Sequence, residues 1–425
     1  MPTYTLSEWE SQLIPEAFHP ADQALLAQLC LSDRIEIDEL KEGIRVRTRS
    51  WVGVLHFHDF ELRVIPKLAG ENLGLVEMLA YTAGIAALKH YDSQRYLEVA
   101  QQGSLFDLIV WLFCDACEQI LAGGLLFDYE TQEDSLTSLR GRLLVDRQYR
   151  RRYGQIDRLE CRFDEHSSNV WENQLLALGL FEATRFAQDG PIRARARKLW
   201  TLLSEACSID DLDVEAVRNG MLYNRLNEHY RDAHQLAWMI IDGLGIEDLF
   251  ASGQRPSFAF LLDMNSLFEQ FLSKYLAEVL SGCGLSMAYQ RHDRSIIWDV
   301  FHNHSYSQVI PDFLVSGGGS TRRLALDAKY KIYDTHKVDS GDIAQIFLYA
   351  YAYDHAPQPA AVLVYPTGET SGQRASLLIR PANQPNGARI HVLGLNISEA
   401  LVEIREKKLG TTADLIQSTV MAVFR

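Results

Sequence analysis

The sequence predicts an α+β protein of several domains, with a β-rich N-terminal region, a helical middle and a C-terminal α/β domain around a mixed central sheet. Three observations predict this fold class. The length of 425 residues exceeds that of a typical single domain. Apolar residues recur at every second position up to about residue 70, and then at helical spacing. Beyond about residue 260, helical and strand-like segments alternate, as they do around a sheet covered by helices.

The N-terminal region reads as a series of strands. The stretch GIRVRTRSWVGVLHFHDFELRVIPK alternates apolar and polar residues, which is typical of β-structure. His58 and Asp59 lie between two such runs, where we expect the turn of a hairpin. His56 and His58 have the spacing of two metal ligands on one strand face. No third ligand is evident nearby, so we interpret them as solvent-side strand residues.

The middle region is helical and has an unusual arginine content. Its apolar run SLFDLIVWLFCDACEQIL contains Cys114 and Cys117, and because no second ligand pair at zinc spacing is evident, we interpret this CxxC as core. The net charge of −15 disfavours a general nucleic-acid binder. Residues 140–162 nevertheless hold eight arginines and three acids. They form either a DNA or partner surface, or a set of solvated faces with local ion pairs.

Composition indicates where the domains end. Glycine, serine and proline are enriched around residues 242–260, which predicts a domain boundary there. We predict three domains, at 1–125, 126–250 and 251–425, and extra strands in the tail after about residue 365.

Two short motifs on neighbouring predicted strands are the residues most indicative of chemistry. Pro311-Asp312 lies at the end of one strand, within the segment SQVIPDFLV that we predict to be a single strand, and Asp327-Ala328-Lys329 follows fifteen residues later on the next. The segment VSGGGSTRR between them reads as a hairpin turn, which sets Asp312 and Asp327 close together. Period-two alternation in LALDAKYK puts Asp327 and Lys329 on the same face. Two carboxylates and one ammonium group are therefore expected at one spot.

This trio suits metal-dependent cleavage of phosphodiester bonds. Two carboxylates offer the hard oxygen ligands that Mg²⁺ prefers, and the carbonyl of Ala328 is a candidate third ligand. Bound Mg²⁺, or Mn²⁺ in its place, would polarise the phosphate and lower the pKa of a bound water, while Lys329 would orient that water. The alternative is a surface hairpin in which Asp327 and Lys329 form an ordinary ion pair. The apolar neighbours of Asp327 favour the active site, because an unpartnered carboxylate is costly there.

Two predicted helices carry further candidate residues. Glu269 lies among apolar residues of MNSLFEQFLSKYL, and it either points toward the metal or is an exposed helix glutamate. Gln345 and Tyr349 are four residues apart in DIAQIFLYAYAY and share one helical face. Either the pair faces the site, where it hydrogen-bonds DNA phosphate or braces the lysine, or Tyr349 simply packs in the core.

Taken together, these motifs resemble a known nuclease superfamily. PDF…LDAKYK, with Glu269 upstream and QxxxY downstream at Gln345, looks like the PD-(D/E)xK pattern. An ordered series of segments resembles the McrC family, the nuclease subunit of McrBC-type modification-dependent (type IV) restriction systems; these are WVGVLHFHDFELRVIPKL, LRGRLLVDRQ, CRFDEHSSNVWENQLLALGL and DMNSLFEQFL. The resemblance implies a Mg²⁺-dependent endonuclease with a PD-(D/E)xK domain at 251–425. Asp312, Asp327 and Lys329 match the catalytic positions of the family.

The same resemblance implies partners. McrC-like proteins cut DNA and stimulate GTP hydrolysis by a McrB-type AAA+ hexamer, which reads the DNA and translocates. Residues 1 to about 125 would then contact the motor. The sequence has no GxxxxGK[ST] motif, which agrees with nucleotide being bound by the partner and not by this chain. Double-strand cleavage usually requires two active sites, so a homodimer within the complex stays open.

Two other functions also stay open from the sequence. In the first, the chain is a non-catalytic adaptor that activates a motor NTPase. In the second, it is a stand-alone DNA repair nuclease of the same superfamily. The intact trio of Asp312, Asp327 and Lys329 argues against the adaptor, and the N-terminal 240 residues have no task in a stand-alone nuclease. No secretory signal and no apolar run of about 18 residues is visible, so we expect a cytoplasmic protein that does not contact a membrane.

Overall fold

The computed structural model describes the whole chain except residues 33, 68–71, 84–103, 156, 211, 245–256, 318–321, 332, 335, 383–384 and 425. Most of the boundary predicted at 242–260 therefore lies outside the described residues, and so does the glycine-rich part of the turn predicted before Asp327.

The chain divides into two units, one formed by Met1–Gln102 with Leu261–Arg425 and the other by Gly103–Phe260. This division into two units by contacts differs from the three domains predicted from the sequence. The separate roles of those domains stay a prediction.

The N-terminal part of the first unit is built from short strands, as the period-two pattern predicted. Its elements in chain order are β1 (Thr3–Ser7), β2 (Ser11–Ile14), α1 (Gln23–Ser32), β3 (Ile35–Leu40), β4 (Gly43–Thr48), β5 (Trp51–His56), β6 (Glu61–Ile65) and α2 (Asn72–Ala83). Strands β5 and β6 pair antiparallel, and Phe57 N donates to Phe60 O across the turn, which confirms the hairpin predicted at His58-Asp59. In β4, Ile44, Val46 and Thr48 are buried while the residues between them face outward.

The second unit is a helical cluster with a small sheet. Its elements are α3 (Leu105–Gly123), β7 (Asp128–Leu136), β8 (Arg142–Leu143), α4 (Val145–Arg152), β9 (Leu159–Ser167), α5 (Trp171–Phe186), α6 (Gly190–Ser204), α7 (Val214–Gly220) and α8 (Arg231–Leu244). Helices α3, α5, α6 and α8 pack together, and the strands pair in the order β7-β9-β8. Cys114 and Cys117 are buried in α3, as the core interpretation predicted, and burial raises the pKa of Cys114 to about 12.

After the second unit the chain returns to the first through β10. The elements of this part are β10 (Phe258–Asp263), α9 (Met264–Leu280), β11 (Leu285–Tyr289), β12 (Asp293–Asp299), β13 (His304–Val309), β14 (Phe313–Gly317), β15 (Arg323–Ala328), α10 (Ser340–Tyr353), β16 (Ala360–Pro366), β17 (Gly372–Ile379), β18 (Ala388–Leu395), α11 (Ile397–Glu406) and α12 (Thr411–Phe424).

A six-stranded sheet organises this C-terminal part. Its strands lie in the order β11-β14-β15-β16-β18-β17. The pairs at both edges are antiparallel, whereas β15, β16 and β18 run parallel, so the sheet is mixed as predicted. The parallel centre is apolar on both faces, and all seven residues of β16 are buried. The tail after residue 365 supplies β17 and β18, which are the extra strands that the sequence led us to expect.

One predicted strand is broken in two. We expected SQVIPDFLV to form one strand, but it forms the end of β13 and the start of β14, which belong to different sheets. Strand β13 pairs with β12 as a separate two-stranded hairpin. Pro311 lies at the break, because a proline has no N–H to donate to a neighbouring strand. The break leaves Asp312 immediately before the first residue of β14.

None of the described helices is both long enough and apolar enough to cross a lipid bilayer.

In the second unit, Asn173 on α5 holds three groups together. Its Nδ2 donates to Leu126 O at 2.8 Å and to Ser168 O at 2.7 Å, and its Oδ1 accepts from the Tyr230 hydroxyl at 2.8 Å. The side chains of Asn173 and Tyr230 are fully buried. The loops before β7 and α5 are thus fixed to the helical cluster through one amide.

We expect Asn173→Ala to lower the free energy of unfolding by about 3 kcal/mol, because buried partners are left without hydrogen bonds. Urea unfolding followed by circular dichroism measures this. Asn219→Ala is the matched control, since Asn219 is exposed on α7 and its amide donates only to Glu215 O of its own helix. A loss for Asn173→Ala no larger than that for Asn219→Ala would show that the amide does not hold these loops.

Candidate active site

Asp312 and Asp327 face each other across two antiparallel strands. The register pairs Phe313 of β14 with Leu326 of β15, so one step further Asp312 lies opposite Asp327. Asp312 Oδ2 accepts a hydrogen bond from the backbone N–H of Ala328 at 2.7 Å. The hairpin predicted from the motif spacing thus brings together the two carboxylates.

Asp327 has no hydrogen bond to its carboxylate, although it is completely buried. Lys329 Nζ lies 2.9 Å from Asp327 Oδ2, an ion pair without the geometry of a hydrogen bond. Among the described residues, neither Asp327 Oδ1 nor Oδ2 accepts a hydrogen bond. A buried carboxylate oxygen without a donor is costly, so these oxygens are suited to a ligand that the chain itself does not provide.

The pKa values at this site reflect two acids held close together. Burial and the neighbouring Asp327 raise the pKa of Asp312. Burial also raises the pKa of Asp327, although Lys329 opposes it. Burial alone would lower the pKa of Lys329, but Asp327 and Asp312 outweigh that effect and raise it. The pair of carboxylates therefore retains a proton unless a further positive charge joins the site.

A divalent cation fits these groups. The donors are carboxylate oxygens, which Mg²⁺ and Mn²⁺ favour, and among the described residues Asp327 Oδ1 has no partner while Oδ2 has only the ammonium group of Lys329. One lysine does not neutralise two carboxylates. A bound cation would therefore supply the missing positive charge as well as accept the ligand bonds. Asp312 and Asp327 are the residues that would hold the ion, and the carbonyl of Ala328 stays a predicted third ligand.

Glu269 is half-buried on α9 and borders this site. Its Oε1 accepts a hydrogen bond from Gln290 Nε2 at 2.7 Å, and the backbone N–H of Gln290 donates to Asp312 O at 2.8 Å. The charge of Glu269 contributes to the raised pKa of Asp312. Tyr289 lies between them, and burial followed by Glu269 raises its pKa to about 12. Glu269 therefore belongs to the surroundings of the two aspartates rather than to an exposed helix face.

Gln345 and Tyr349 contact the strand that leads into the site. Gln345 Nε2 donates to the Tyr349 hydroxyl at 2.8 Å, and that hydroxyl donates to Ile310 O at 3.0 Å. Ile310 precedes the Pro311-Asp312 motif, so the pair fixes the break between β13 and β14. The sequence predicted that both side chains share one helical face. In the structure that face contacts the backbone of Ile310 through the Tyr349 hydroxyl. No hydrogen bond joins Gln345 to Lys329 in the described part of the chain.

Asp342, in the first turn of α10, gathers two further polar groups beside the site. Lys331 Nζ lies 2.6 Å from Asp342 Oδ2, and the Tyr333 hydroxyl donates to the same oxygen. Asp342 also raises the pKa of Asp327. Lys331 and Lys329 alternate along the chain with Tyr330 between them, and their partners differ: Lys331 pairs with Asp342 and Lys329 with Asp327.

Glu8 is a residue near the site that the sequence did not reveal. It is fully buried, and its Oε2 accepts from Lys67 N at 2.8 Å and from the Tyr330 hydroxyl at 2.9 Å. Tyr330 directly follows Lys329, and its ring packs between those of Trp9 and Phe268. The N-terminal turn of the chain thus fixes the residue beside the candidate lysine. The contact joins residues 322 positions apart, for which no spacing rule gives a signal.

The arginine-rich stretch of the second unit is only partly neutralised. Four of its arginines pair with acids: Arg140 with Glu165, Arg147 with Glu133 and Glu160, Arg152 with Glu160, and Arg162 with Glu133. The other four are exposed and have no carboxylate within ion-pair distance among the described residues; they are Arg142, Arg150, Arg151 and Arg158. The exposed rings of Tyr149 and Tyr153 lie 5.0 Å apart beside Arg150 and Arg151.

Comparison with known proteins identifies a family and similar solved structures. Residues 46–366 match the model of a family described as McrBC 5-methylcytosine restriction system component. No curated protein sequence matches the chain.

The fold is similar to that of a chain in the refined half-complex from the tetradecameric assembly of Thermococcus gammatolerans McrB AAA+ hexamers with bound McrC. The identity is 19% and the TM-score 0.61, over 95% of this chain and 98% of that one. A chain in the cryo-EM structure of the Thermococcus gammatolerans McrBC complex has 20% identity and a TM-score of 0.46, over 65% of this chain and 88% of that one.

We expect Glu8 to make the stability of the first unit depend on pH. Burial raises the pKa of Glu8 from 4.5 to about 7 in the folded chain. Its stabilising contribution is complete below its ordinary pKa and is lost as the pH rises through the folded value. Relative to Glu8→Gln, the wild-type chain should lose up to about 3 kcal/mol of unfolding free energy between about pH 5 and pH 8.

Urea unfolding at several pH values measures this difference. Glu10→Gln, at an exposed position two residues on, is the matched control and should run parallel to the wild type. If the Glu8→Gln and wild-type stabilities change with pH in parallel, Glu8 is ionised in the folded chain and the argument from its burial is wrong.

Proposed function

This chain belongs to the McrBC family of 5-methylcytosine restriction system components, and we propose that it is the subunit of such a system that cuts DNA. The proposed reaction is Mg²⁺-dependent hydrolysis of phosphodiester bonds by an endonuclease site at Asp312, Asp327 and Lys329. We further propose that the C-terminal sheet with α9 and α10 is a PD-(D/E)xK nuclease fold.

One observation carries the nuclease proposal. Asp327 is fully buried, faces a second carboxylate, and has both of its oxygens without a hydrogen bond. Lys329 Nζ approaches Oδ2 to 2.9 Å, but a buried structural ion pair would satisfy both oxygens with donors from the chain. A site that binds a cation keeps them for the ion. The surroundings of Asp327 therefore favour a metal-binding role over a surface hairpin with a simple Asp–Lys pair.

Each residue of the proposed site has a different role in the reaction. Asp312 and Asp327 would hold the cation, which when bound polarises the phosphate and lowers the pKa of a coordinated water. The backbone N–H of Ala328 fixes the orientation of the Asp312 carboxylate. Lys329 keeps its proton, because Asp327 and Asp312 raise its pKa. Its ammonium group can therefore bind a phosphate oxygen and stabilise the negative charge that grows there during attack.

The neighbouring residues position these groups. Gln290 connects Glu269 to the backbone of Asp312, and Tyr349 fixes Ile310 just before it. We propose that Glu269 orients the water or the ion from the helix side, and that Gln345 acts through Tyr349 on the break before Asp312. Neither residue needs to touch the reacting phosphate for this role.

We propose that the partner of this chain is a McrB-type AAA+ GTPase hexamer, whose GTP hydrolysis it stimulates. The fold is similar to that of a chain from an assembly in which McrB AAA+ hexamers have McrC bound. The sequence also lacks a phosphate-binding loop of its own. Cutting both strands of DNA requires two active sites, so two copies of this chain within the complex are part of the proposal.

We expect Asp327→Asn to abolish cleavage while the chain still folds and activates its partner. The amide offers one weaker ligand oxygen in place of a carboxylate, so cleavage should fall by more than about 100-fold. The assay mixes the chain with a McrB-type partner, GTP, Mg²⁺ and methylated plasmid, and follows both nicking and GTP turnover. Asp414→Asn, an exposed acid on α12, is the matched control and should cut like the wild type.

Equal cutting by Asp327→Asn and the wild type would show that Asp327 is not a metal ligand of the cleavage site. If the wild type accelerates GTP turnover but never cuts, the chain is an adaptor for the motor and the nuclease proposal fails.

The exposed arginines of the second unit are a proposed DNA surface. Arg150 and Arg151 have no carboxylate within ion-pair distance in the part of the chain that the structure describes, and they lie beside two exposed tyrosines, an arrangement that suits phosphate contact and base stacking. We expect Arg150→Ala/Arg151→Ala to weaken DNA binding and to reduce the slope of log affinity against log salt by about 2. Fluorescence anisotropy with labelled DNA at several salt concentrations measures both quantities.

Arg197→Ala/Lys198→Ala on α6 removes two exposed positive charges as well and is the matched control. Unchanged DNA affinity together with weaker stimulation of the partner GTPase would make the same arginines a partner surface. Unchanged values in both assays would show that Arg150 and Arg151 are solvated side chains without a binding role.

A further inference from the structure

The tip of the β12–β13 hairpin carries a group of metal-binding side chains that the nuclease proposal does not use. Asp299 ends β12, His304 begins β13, and His302 lies in the turn between them. The sequence there is DVFHNH, so the three residues fall within six positions. The side chain of Asp299 is 20% exposed, while those of His302 and His304 are about three-fifths exposed.

The ligand atoms of these residues converge. His302 Nδ1 lies 2.7 Å from Asp299 Oδ2, and His304 Nε2 lies 3.9 Å from the same oxygen. The two imidazole rings are nearly parallel, at 22° with centroids 5.9 Å apart. One ligand atom from each residue lies within 4.8 Å of the others. Metal–nitrogen and metal–oxygen bonds of about 2.0–2.2 Å can span such a group after small side-chain rotations.

The hydrogen bond of His304 decides which of its nitrogens is available. Nδ1 lies 2.8 Å from Ser305 O, and because a carbonyl oxygen only accepts, Nδ1 must carry the proton. In a neutral ring, Nε2 then has a free lone pair. That lone pair faces the Asp299 carboxylate at a distance too long for a hydrogen bond. A histidine whose other N–H donates to a backbone carbonyl is the arrangement that metal ligands show in proteins.

The turn also holds Asp299 in place without any ion. Asp299 Oδ1 accepts from the backbone N–H of Phe301 at 2.9 Å and from that of His302 at 3.0 Å. Oδ2 accepts a hydrogen bond from His302 Nδ1 at 2.7 Å, and a bound ion would take the place of that proton. Asn303 adopts a left-handed conformation with φ 53°, which turns the chain between the two histidines. Little conformational entropy is then lost when an ion closes this short loop.

We propose that Asp299, His302 and His304 bind a divalent transition-metal ion, with Zn²⁺ as the best match, at the tip of this hairpin. Two imidazoles and one carboxylate favour Zn²⁺ and its neighbours over Mg²⁺, which prefers oxygen ligands. The donor set thus differs from that of Asp312 and Asp327. Three protein ligands leave a coordination position open for water or for a group from another molecule.

Binding at this point would fix the most exposed apolar residues of the region. Val300 is 86% exposed and Phe301 is 90% exposed, and both lie between the ligands Asp299 and His302. An ion held by residues on either side of them restricts the backbone of the turn. The ion therefore acts on the shape of the tip, independently of the nuclease proposal.

Zinc binding by the full chain tests this directly. Measurements use the Asp327→Asn protein, in which the other candidate cation site is weakened, with excess Mg²⁺ and a chromophoric zinc chelator as competitor. We expect one Zn²⁺ per chain, and a loss of affinity of at least about 10-fold in His302→Gln/His304→Gln. His292→Gln is the matched control, since His292 is an exposed histidine before the start of the same hairpin and outside the cluster.

A second readout separates tip binding from binding to cysteines. Hydrogen exchange of the backbone between Val300 and Asn303 should slow when Zn²⁺ is added, and should not slow in the double histidine variant. Asp299→Asn keeps the turn because its amide oxygen still accepts from Phe301 and His302, yet it should also weaken zinc binding. Equal zinc affinity in the double variant, Asp299→Asn and His292→Gln would overturn the proposal, as would the absence of bound zinc in the Asp327→Asn protein with an unchanged hairpin tip.

Discussion

The structure around the candidate site depends on one constraint, which is that two carboxylates are held opposite each other and one of them is fully buried. Asp312 and Asp327 are brought together by the register of β14 and β15, and Asp327 is fully buried. Burial and like charge both disfavour the ionised pair, so the chain must either keep a proton there or provide a cation. Lys329 supplies one positive charge and leaves the balance negative. This imbalance distinguishes the site from a structural ion pair.

The neighbouring elements hold the two carboxylates in this arrangement. The backbone of β15 donates to Asp312, Gln290 fixes the other side of the same residue, and Tyr349 fixes the chain just before it. Glu8 reaches the site from the opposite end of the chain and binds the hydroxyl of Tyr330. Each contact limits a movement by which the carboxylates could separate and reach solvent. Strain of this kind persists only where the surroundings fix it from several sides.

The sequence predicted the centre of the site well and its surroundings poorly. The spacing of Asp312, Asp327 and Lys329 follows from strand periodicity, which acts locally, and the structure has the expected hairpin register. The break at Pro311 was missed because the apolar pattern of SQVIPDFLV continues across it, although the lack of an N–H is a local signal. Glu8 was missed because its partner lies far away in the chain, and long-range contacts have no period. The arginines 140–162 were left between two interpretations, and the structure divides them, since half are paired.

The distribution of charge has a consequence for how such a chain would act on DNA. With a net charge of −15 and two facing aspartates against one lysine, the proposed site has no net positive charge that could attract a phosphate until a cation is present. Affinity for DNA must then come from elsewhere, through exposed arginines such as Arg150 and Arg151 or through a partner. If the chain is the nuclease that we propose, it should have little activity of its own on random DNA. Cutting would be confined to DNA that another surface or protein delivers, which is the control that a restriction system requires of its cutting subunit.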